Sequence, residues 1–199
     1  SIPMQLSKEN KKFFFGKIKK GARSADYEVS IQWLIDCGLL YKVHCVNKPG
    51  MPLRAYKEFS AYKLFMVDVG LLGAMSNLDS RSILEGNKIF TEFKGALTEQ
   101  YVHQQIVSSS DLELFYYSNE SSTNEIDFLV QIESYIIPIE VKAEENLNSK
   151  SLKAFVDKYS PDKSIRLSMK GYIEQGWLIN VPLWETSEIT AIVCSKFIR

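Results

Sequence analysis

The sequence of 199 residues has little cysteine, little histidine and no long apolar run. Its three cysteines, Cys37, Cys45 and Cys194, are odd in number and lack the close pairs typical of zinc ligands. They predict reduced thiols in a reducing compartment, not a disulfide framework. The longest strongly apolar window, LFMVDVGLLGAM, is interrupted by Asp68 and is shorter than the roughly 20 residues that a membrane span needs.

A secretory pattern is also missing from the start of the chain, because SIPMQLSKEN has no basic stretch followed by an apolar one. The apolar residues make up 45% of the chain, as in an ordinary globular protein that can form a core without disulfides. We therefore expect a cytoplasmic α/β protein that does not enter a membrane.

Charge is balanced over the whole chain but unevenly distributed along it. Residues 1–78 carry 12 Lys and Arg against 6 Asp and Glu, whereas residues 79–199 carry 12 against 18. The net charges are therefore +6 and −6. This asymmetry indicates two units with different partners, and the basic one is better suited to a polyanion such as DNA.

The first 80 residues show helix and strand patterns in the order of a winged helix. Two helices are predicted, one within QLSKENKKFFFGKIKKGAR that stops at Gly21 and one within SADYEVSIQWLIDCGLLYKV that ends at Gly38 as its C-cap. They are followed by a strand, a turn at KPGMP, and a returning strand that leads into a short helix. This order predicts a winged-helix-like domain, a fold that binds DNA in many proteins and docks proteins in others.

Residues 81–199 form the second predicted domain, which begins after the polar stretch SNLDSRSILEGNKIF. A helix at FTEFKGALTEQYVHQQIVSS precedes a strand, an amphipathic strand pair and a further helix. Two strands follow, at SIRLSM and near GWLINVPLWE. The order predicts a mixed sheet flanked by helices.

The strand pair NEIDFLVQIESYIIPIEVKA has charged residues on one face and apolar residues on the other. With a two-residue turn at Glu133 and Ser134, opposed residues have numbers that sum to 267. Asp127 then lies opposite Glu140, and Glu125 opposite Lys142, with all four side chains on one face. The apolar face predicts core, and the register is therefore well specified.

Two readings of this charged face are open. Opposed carboxylates repel each other, and a hard divalent cation would turn that repulsion into attraction. Glu99, a polar residue on the preceding helix, could bring a third acid to the same cation. Alternatively, the face is a solvated sheet surface with a weak Glu125–Lys142 ion pair.

Glu99 on a helix, EID ending in Asp127, and IEVK supplying Glu140 and Lys142 resemble the PD-(D/E)XK signature of restriction-endonuclease-like nucleases. The resemblance implies a restriction-endonuclease-like second domain. It also implies Asp127 and Glu140 as catalytic ligands of Mg²⁺ or Mn²⁺, Glu99 as an auxiliary ligand, and Lys142 as the catalytic lysine.

Nearly the whole chain resembles the C-terminal half of a family of bacterial and archaeal AAA-type ATPases. The resemblance rests on stretches such as KKFFFGKIKKGARSADYEVSIQWLIDCGLLYKV, KGALTEQYVHQQI and IEVKAEENLNSKSLKAFVDKYSP. That family carries an ATPase domain, a winged helix and a C-terminal domain of unknown function. No GxxxxGK[ST] phosphate loop occurs in this chain. We therefore expect a fragment without an ATP site, whose partner is the ATPase domain of its parent protein.

The leading hypothesis is a DNA-associated region with an Mg²⁺-dependent nuclease site. The alternative is a catalytically inactive interaction module that docks a partner protein or its own ATPase domain. DNA phosphate contacts are expected from five basic residues in and just after the first helix, Lys11, Lys12, Lys19, Lys20 and Arg23. The competing interpretation is that these side chains only form a solvated surface. His103 is expected to be structural, and Trp33, Phe65 and Trp184 are expected in the core.

Overall fold

The computed structural model describes residues 2–8, 13, 15–21, 23–78, 88–119, 121, 123–143 and 148–197. Within these ranges the fold is mixed α/β with six α-helices: α1 Ile2–Lys8, α2 Ser24–Asp36, α3 Val69–Met75, α4 Lys88–Ser109, α5 Lys150–Tyr159 and α6 Ile189–Phe197. The strands are β1 Leu40–Val46, β2 Lys57–Met66, β3 Phe115–Ser118, β4 Glu125–Ile132, β5 Tyr135–Lys142, β6 Ser164–Ser168, β7 Ile173–Gln175 and β8 Leu178–Pro182. None of the helices in this part of the chain is both long and apolar enough to cross a membrane.

The strands form one eight-stranded mixed sheet in the order β2-β1-β3-β4-β5-β6-β8-β7. β4 is antiparallel to both β3 and β5, whereas β6 is parallel to both β5 and β8. β1 is parallel to β3, and the short edge strand β7 is antiparallel to β8. The predicted mixed sheet is confirmed, and β7 is an additional strand that the sequence pattern did not reveal.

The chain divides into two compact units. The first contains residues 1–43 and 61–104, and the second contains residues 44–60 and 105–199. β1, β2 and α4 therefore each contribute residues to both units. The domain boundary predicted near residue 80 stays a prediction, because residues 79–87 lie outside the described residues.

The first predicted helix differs from the structure. α1 already begins at Ile2, and a separate 3-10 helix occupies Phe15–Lys17. Phe13, between them, is not helical, because its amide donates to the carbonyl oxygen of Tyr62 on β2, 3.5 Å away. A single helix from residue 5 to residue 20 is therefore wrong.

α2 matches its prediction closely. The helix ends at Asp36, and Gly38 adopts φ +72°, a left-handed conformation that glycine adopts without strain at a helix end. Ile31 is buried on the inner face, whereas Trp33 is 64% exposed. The core position expected for Trp33 is wrong because the helical period that points Ile31 and Leu34 inward places Trp33 outward.

The end of β2 is fixed to α4 by two glutamine side chains within the first unit. The Gln100 amide accepts from the Met66 N–H at 2.9 Å and donates to the Met66 carbonyl at 2.6 Å. Gln104 accepts from the Val69 N–H at 2.9 Å and donates to Asp68 at 3.0 Å. These bonds satisfy backbone groups that have left the sheet ladder.

The core of the second unit is formed between the sheet and α5. Leu152 and Phe155 of α5 pack in one cluster with Leu129 and Ile136, which lie on the two strands of the predicted hairpin. Trp184 is 58% exposed, so its expected core position is also wrong.

His103 of α4 is a buried aromatic residue of the first unit. It is 1% exposed, and its ring stacks on the fully buried Phe65 with centroids 4.4 Å apart. Its contact with the Tyr41 ring, at 5.1 Å, is tilted by 58°. Burial lowers the pKa of His103 to about 3, because desolvation penalises the imidazolium. His103 is therefore a neutral structural residue, as expected, and Phe65 is a core residue.

This burial predicts a pH dependence of stability. Between pH 6.5 and about 3 the unfolded chain binds a proton that the folded chain excludes at His103. The free energy of unfolding should therefore fall with decreasing pH in this window by at most about 1.4 kcal/mol per pH unit from this group. Urea unfolding at several pH values would measure the slope.

The matched variants are His103→Phe, which keeps an aromatic ring in the stack, and His44→Gln, which removes the other histidine. His103→Phe should reduce the slope of the free energy of unfolding against pH. His44→Gln should leave the part of that slope that comes from His103 unchanged. Equal slopes in wild type and His103→Phe would contradict the assignment.

Candidate functional site

The β4–β5 hairpin has the predicted register. Its pairs run from Phe128 with Ile139 to Ile132 with Tyr135, and each pair sums to 267. Glu133 and Ser134 form the two-residue turn, in which Glu133 has φ +52°. The periodicity of two in the sequence was therefore sufficient to place the hairpin.

The paired ladder between the two strands ends at Phe128 and Ile139. Beyond it, the carboxylate of Asp127 accepts the backbone N–H of Val141, with 2.7 Å between Oδ2 and N. The Asp127 side chain thus satisfies an amide of β5, at the residue that follows Glu140 in sequence. Glu125 pairs with Ser118 of β3.

Glu140 is the most deeply buried acid of the predicted site. The residue is 5% exposed, and its Oε1 lies 2.5 Å from Nζ of Lys142. Its Oε2 is buried and has no hydrogen-bond partner within the described part of the chain. The solvated reading therefore fails for Glu140, and Lys142 forms its ion pair with Glu140 on the same strand.

A polar row extends from Glu140 across the parallel strands. Glu140 is in register with Arg166 of β6, which is in register with Asn180 of β8. Arg166 Nε donates to Asn180 Oδ1 at 3.0 Å, and Ser168 Oγ donates to the same oxygen at 2.8 Å. Asn180 Nδ2 in turn donates to the carbonyls of Lys170 and Gly171 at 3.1 and 2.9 Å. The guanidinium of Arg166 is consequently held in a fixed position.

Two effects act on the pKa of Arg166 in opposite directions. Burial lowers its pKa, whereas the negative charge of Glu140 raises it. Arg166 and Lys142 together supply two positive charges at the Glu140 carboxylate. This compensation makes the burial of Glu140 tolerable.

Sequence reasoning missed Arg166, Ser168 and Asn180. A signal was present in SIRLSM, where Ser164, Arg166 and Ser168 alternate with apolar residues and are all buried. Alternating polar residues in a buried strand indicate a polar face that is covered. The register of Arg166 with Glu140, and of Asn180 with Arg166, depends on the strand order, which the pattern does not contain.

The fit of a divalent cation can be judged from the acids present. Among the described residues, no three His, Cys, Asp or Glu side chains form a group that could hold a metal ion. Mg²⁺, however, often binds through one or two carboxylates and completes its shell with waters and substrate phosphates. Asp127 and Glu140 meet this lower requirement, and the partnerless Oε2 of Glu140 is an oxygen that a cation would satisfy.

Glu99 belongs to the first unit, where its Oε2 lies 3.9 Å from Nζ of the buried Lys63. Its role as an auxiliary metal ligand stays a prediction. Lys19, Lys20 and Arg23 are exposed in the same unit, whereas Lys11 and Lys12 lie outside the described residues.

Two family models match the chain. Residues 94–189 match Domain of unknown function (DUF4143). Residues 1–82 match Domain of unknown function (DUF8612). No curated protein matches the chain. The DUF4143 match includes all four acidic and basic residues of the predicted site, and the expectation of a C-terminal domain of unknown function is confirmed.

The ion pairs of Glu140 predict a stability effect. Glu140→Gln keeps the shape of the side chain but leaves the buried Arg166 and the Lys142 ammonium without the negative charge between them. We expect a loss of about 2 kcal/mol or more in the free energy of unfolding. Chemical denaturation at pH 7 would measure it.

Glu133→Gln is the matched control, since it is the same substitution at an exposed position in the turn of the same hairpin. It should change the stability by less than about 0.5 kcal/mol. An equally small effect of Glu140→Gln would show that the buried ion pairs do not stabilise the fold.

Proposed function

We propose that the second unit carries a divalent-cation-dependent phosphodiester hydrolysis site built on Asp127, Glu140 and Lys142. The observation that carries this proposal is the state of Glu140. One of its oxygens contacts Lys142, and the other is buried with no hydrogen-bond partner among the described residues. Buried oxygens of this kind are costly unless a ligand or ion satisfies them, and they concentrate at functional sites.

Asp127 and Glu140 are the residues that would hold Mg²⁺ or Mn²⁺, and Glu99 is the proposed auxiliary ligand. The bound cation would activate a water and neutralise negative charge on the phosphate. Lys142 has a side chain 27% exposed, so its ammonium can reach a substrate phosphate oxygen when it leaves Glu140. Arg166 would remain beside Glu140 and keep a positive charge at the buried acid.

We further propose that the chain is the DNA-associated, cytoplasmic C-terminal region of an AAA-type ATPase. In this proposal residues 1–80 act as a winged-helix-like module and residues 81–199 as a restriction-endonuclease-like domain. The support is the resemblance of the quoted stretches, the acid and lysine spacing, and the mixed sheet that contains the hairpin. The partners would be DNA and the ATPase domain of the parent protein.

A second function is favoured by a different observation. Lys142 and Arg166 already compensate the charge of Glu140, and Asp127 is bonded to the Val141 N–H, so this cluster can serve as a structural element. The chain would then be an inactive nuclease-fold module that docks a partner protein or its own ATPase domain. The two functions differ in whether a cation binds and in whether a phosphodiester bond breaks.

The deciding experiment is a nuclease assay with Mg²⁺ or Mn²⁺ on single-stranded, duplex and branched DNA. Glu140→Ala and Lys142→Met should each lower the rate at least about a hundredfold, because they remove a cation ligand and a donor to the phosphate. Lys153→Met, at an exposed lysine of α5, should retain the wild-type rate.

Calorimetric titration with Mn²⁺ alone provides a separate readout. Binding that Glu140→Ala abolishes is expected for the hydrolysis site. Activity that survives both substitutions would refute the assigned residues. Wild-type protein that neither binds Mn²⁺ nor cleaves any of the substrates would favour the docking module.

The DNA contacts proposed for the first unit have their own test. A triple variant, Lys19→Gln, Lys20→Gln and Arg23→Gln, should bind duplex DNA more weakly and with a smaller salt dependence. If all three contact phosphates, the slope of log affinity against log salt should fall by about 2 to 3. An unchanged slope would show that these residues form only a solvated face.

A further inference from the structure

The segment 44–60 of the second unit exposes an unusual number of large side chains. Phe59 on β2 is 75% exposed, Met51 is 51% exposed and Tyr56 is 44% exposed. We call Met51, Tyr56 and Phe59 the exposed strip. Isolated exposed apolar residues are common, but several aromatic residues in one short segment indicate a binding surface.

Hydrogen bonds and an ion pair hold this segment to other residues of the second unit, so the exposed strip lies on a fixed loop. Leu53 is fully buried, and its N–H donates to the Gln131 side chain at 2.7 Å. Arg54 forms an ion pair with Glu113 at 2.7 Å, and Tyr159 Oη donates to the Asn47 carbonyl at 3.4 Å. Preorganised side chains lose little entropy when they bind a ligand.

The position of Tyr56 depends on a glycine. A Cβ atom at Gly50 would lie 2.5 Å from Cζ of Tyr56, 2.7 Å from its Cε2 and 2.8 Å from its hydroxyl oxygen. The Tyr56 ring therefore packs directly on the backbone of Gly50, and a side chain at residue 50 would displace it. One side of this ring is supported while the residue stays partly exposed.

The Phe59 ring lies beside a lysine and a histidine. Nζ of Lys57 lies 5.0 Å from the ring centroid, and the His44 ring lies 6.0 Å away at an angle of 64°. Within residues 44–60, the Lys and Arg residues are Lys48, Arg54 and Lys57, and the one acid is Glu58. Arg54 is paired with Glu113, Glu58 accepts from Asn47 at 3.0 Å, and the Lys57 ammonium contacts the ring.

We propose that the exposed strip binds single-stranded nucleic acid, with unpaired bases stacked on Phe59 and Tyr56 and Lys57 beside the phosphate backbone. Aromatic platforms next to basic side chains bind single strands with little sequence preference, because every base has a stacking face. In a duplex the bases already stack on one another, so a preference for single strands follows. This surface does not depend on the hydrolysis proposed above, and it uses none of the residues of that site.

The test is fluorescence anisotropy with a labelled oligothymidylate and with a duplex of the same length, in a buffer containing EDTA. Chelation prevents cleavage, so failure of the hydrolysis proposal leaves this measurement intact. Phe59→Ala should weaken single-strand binding about tenfold, whereas Phe59→Trp should retain it.

Trp33→Ala is the matched control, because Trp33 is 64% exposed but lies on α2 of the first unit beside Gln32 and Asp36. It should leave single-strand affinity unchanged. Lys57→Gln should reduce the slope of log affinity against log salt by about 0.7, the contribution of one phosphate contact to a single strand.

Three results would overturn the proposal: no single-strand binding by the wild type, equal affinity of wild type and Phe59→Ala, or equal losses from Phe59→Ala and Trp33→Ala. Sedimentation of the same proteins tests the protein-interface alternative. Self-association that Phe59→Ala abolishes, in a protein that does not bind the oligothymidylate, would assign the exposed strip to a protein interface instead.

Discussion

Burial of the Glu140 carboxylate requires compensating positive charge, and the arrangement of β5, β6 and β8 supplies it. A buried charge that loses its partner costs several kcal/mol, so this acid needs positive charge beside it in the folded state, which Lys142 and Arg166 supply. Arg166 is in turn held by Asn180, whose amide is fixed by two backbone carbonyls. The register of three parallel strands therefore places the positive charge and its hydrogen-bond partners around this one acid.

The same arrangement determines which existing contact a cation would have to replace at this site. A divalent ion that binds Glu140 must compete with the Lys142 ammonium, which lies 2.5 Å from Oε1. Lys142 has access to solvent, whereas Arg166 is 7% exposed and bonded to Asn180. Exchange of Lys142 for a cation is thus the less costly change, and it would free the lysine to contact a phosphate. The hydrolysis and docking functions differ in whether this exchange takes place.

Side chains complete the backbone hydrogen bonding at several strand ends. Gln100 forms hydrogen bonds with both the N–H and the carbonyl of Met66 at the end of β2. Asp127 accepts the N–H of Val141 beyond the paired part of the hairpin. Gln131 does the same for Leu53, under the exposed strip. Unsatisfied buried backbone groups are costly, so these polar residues in strands and helices have structural roles that resemble those of caps.

Local periodicity was enough to predict α2, the β4–β5 hairpin and its register, because each depends on residues within one short segment. It also identified Asp127, Glu140 and Lys142 as neighbours in one hairpin. It failed for Phe13, whose amide bonds to β2, and for Trp33, which lies on the outer face of its helix. Only the tertiary structure decided that Lys142 pairs with Glu140, that Glu140 is buried, and that Arg166, held by Asn180, lies beside it. The physical reason is that parallel strands meet neighbours from distant parts of the chain, and the order of strands in a sheet leaves no periodic signal in any one of them.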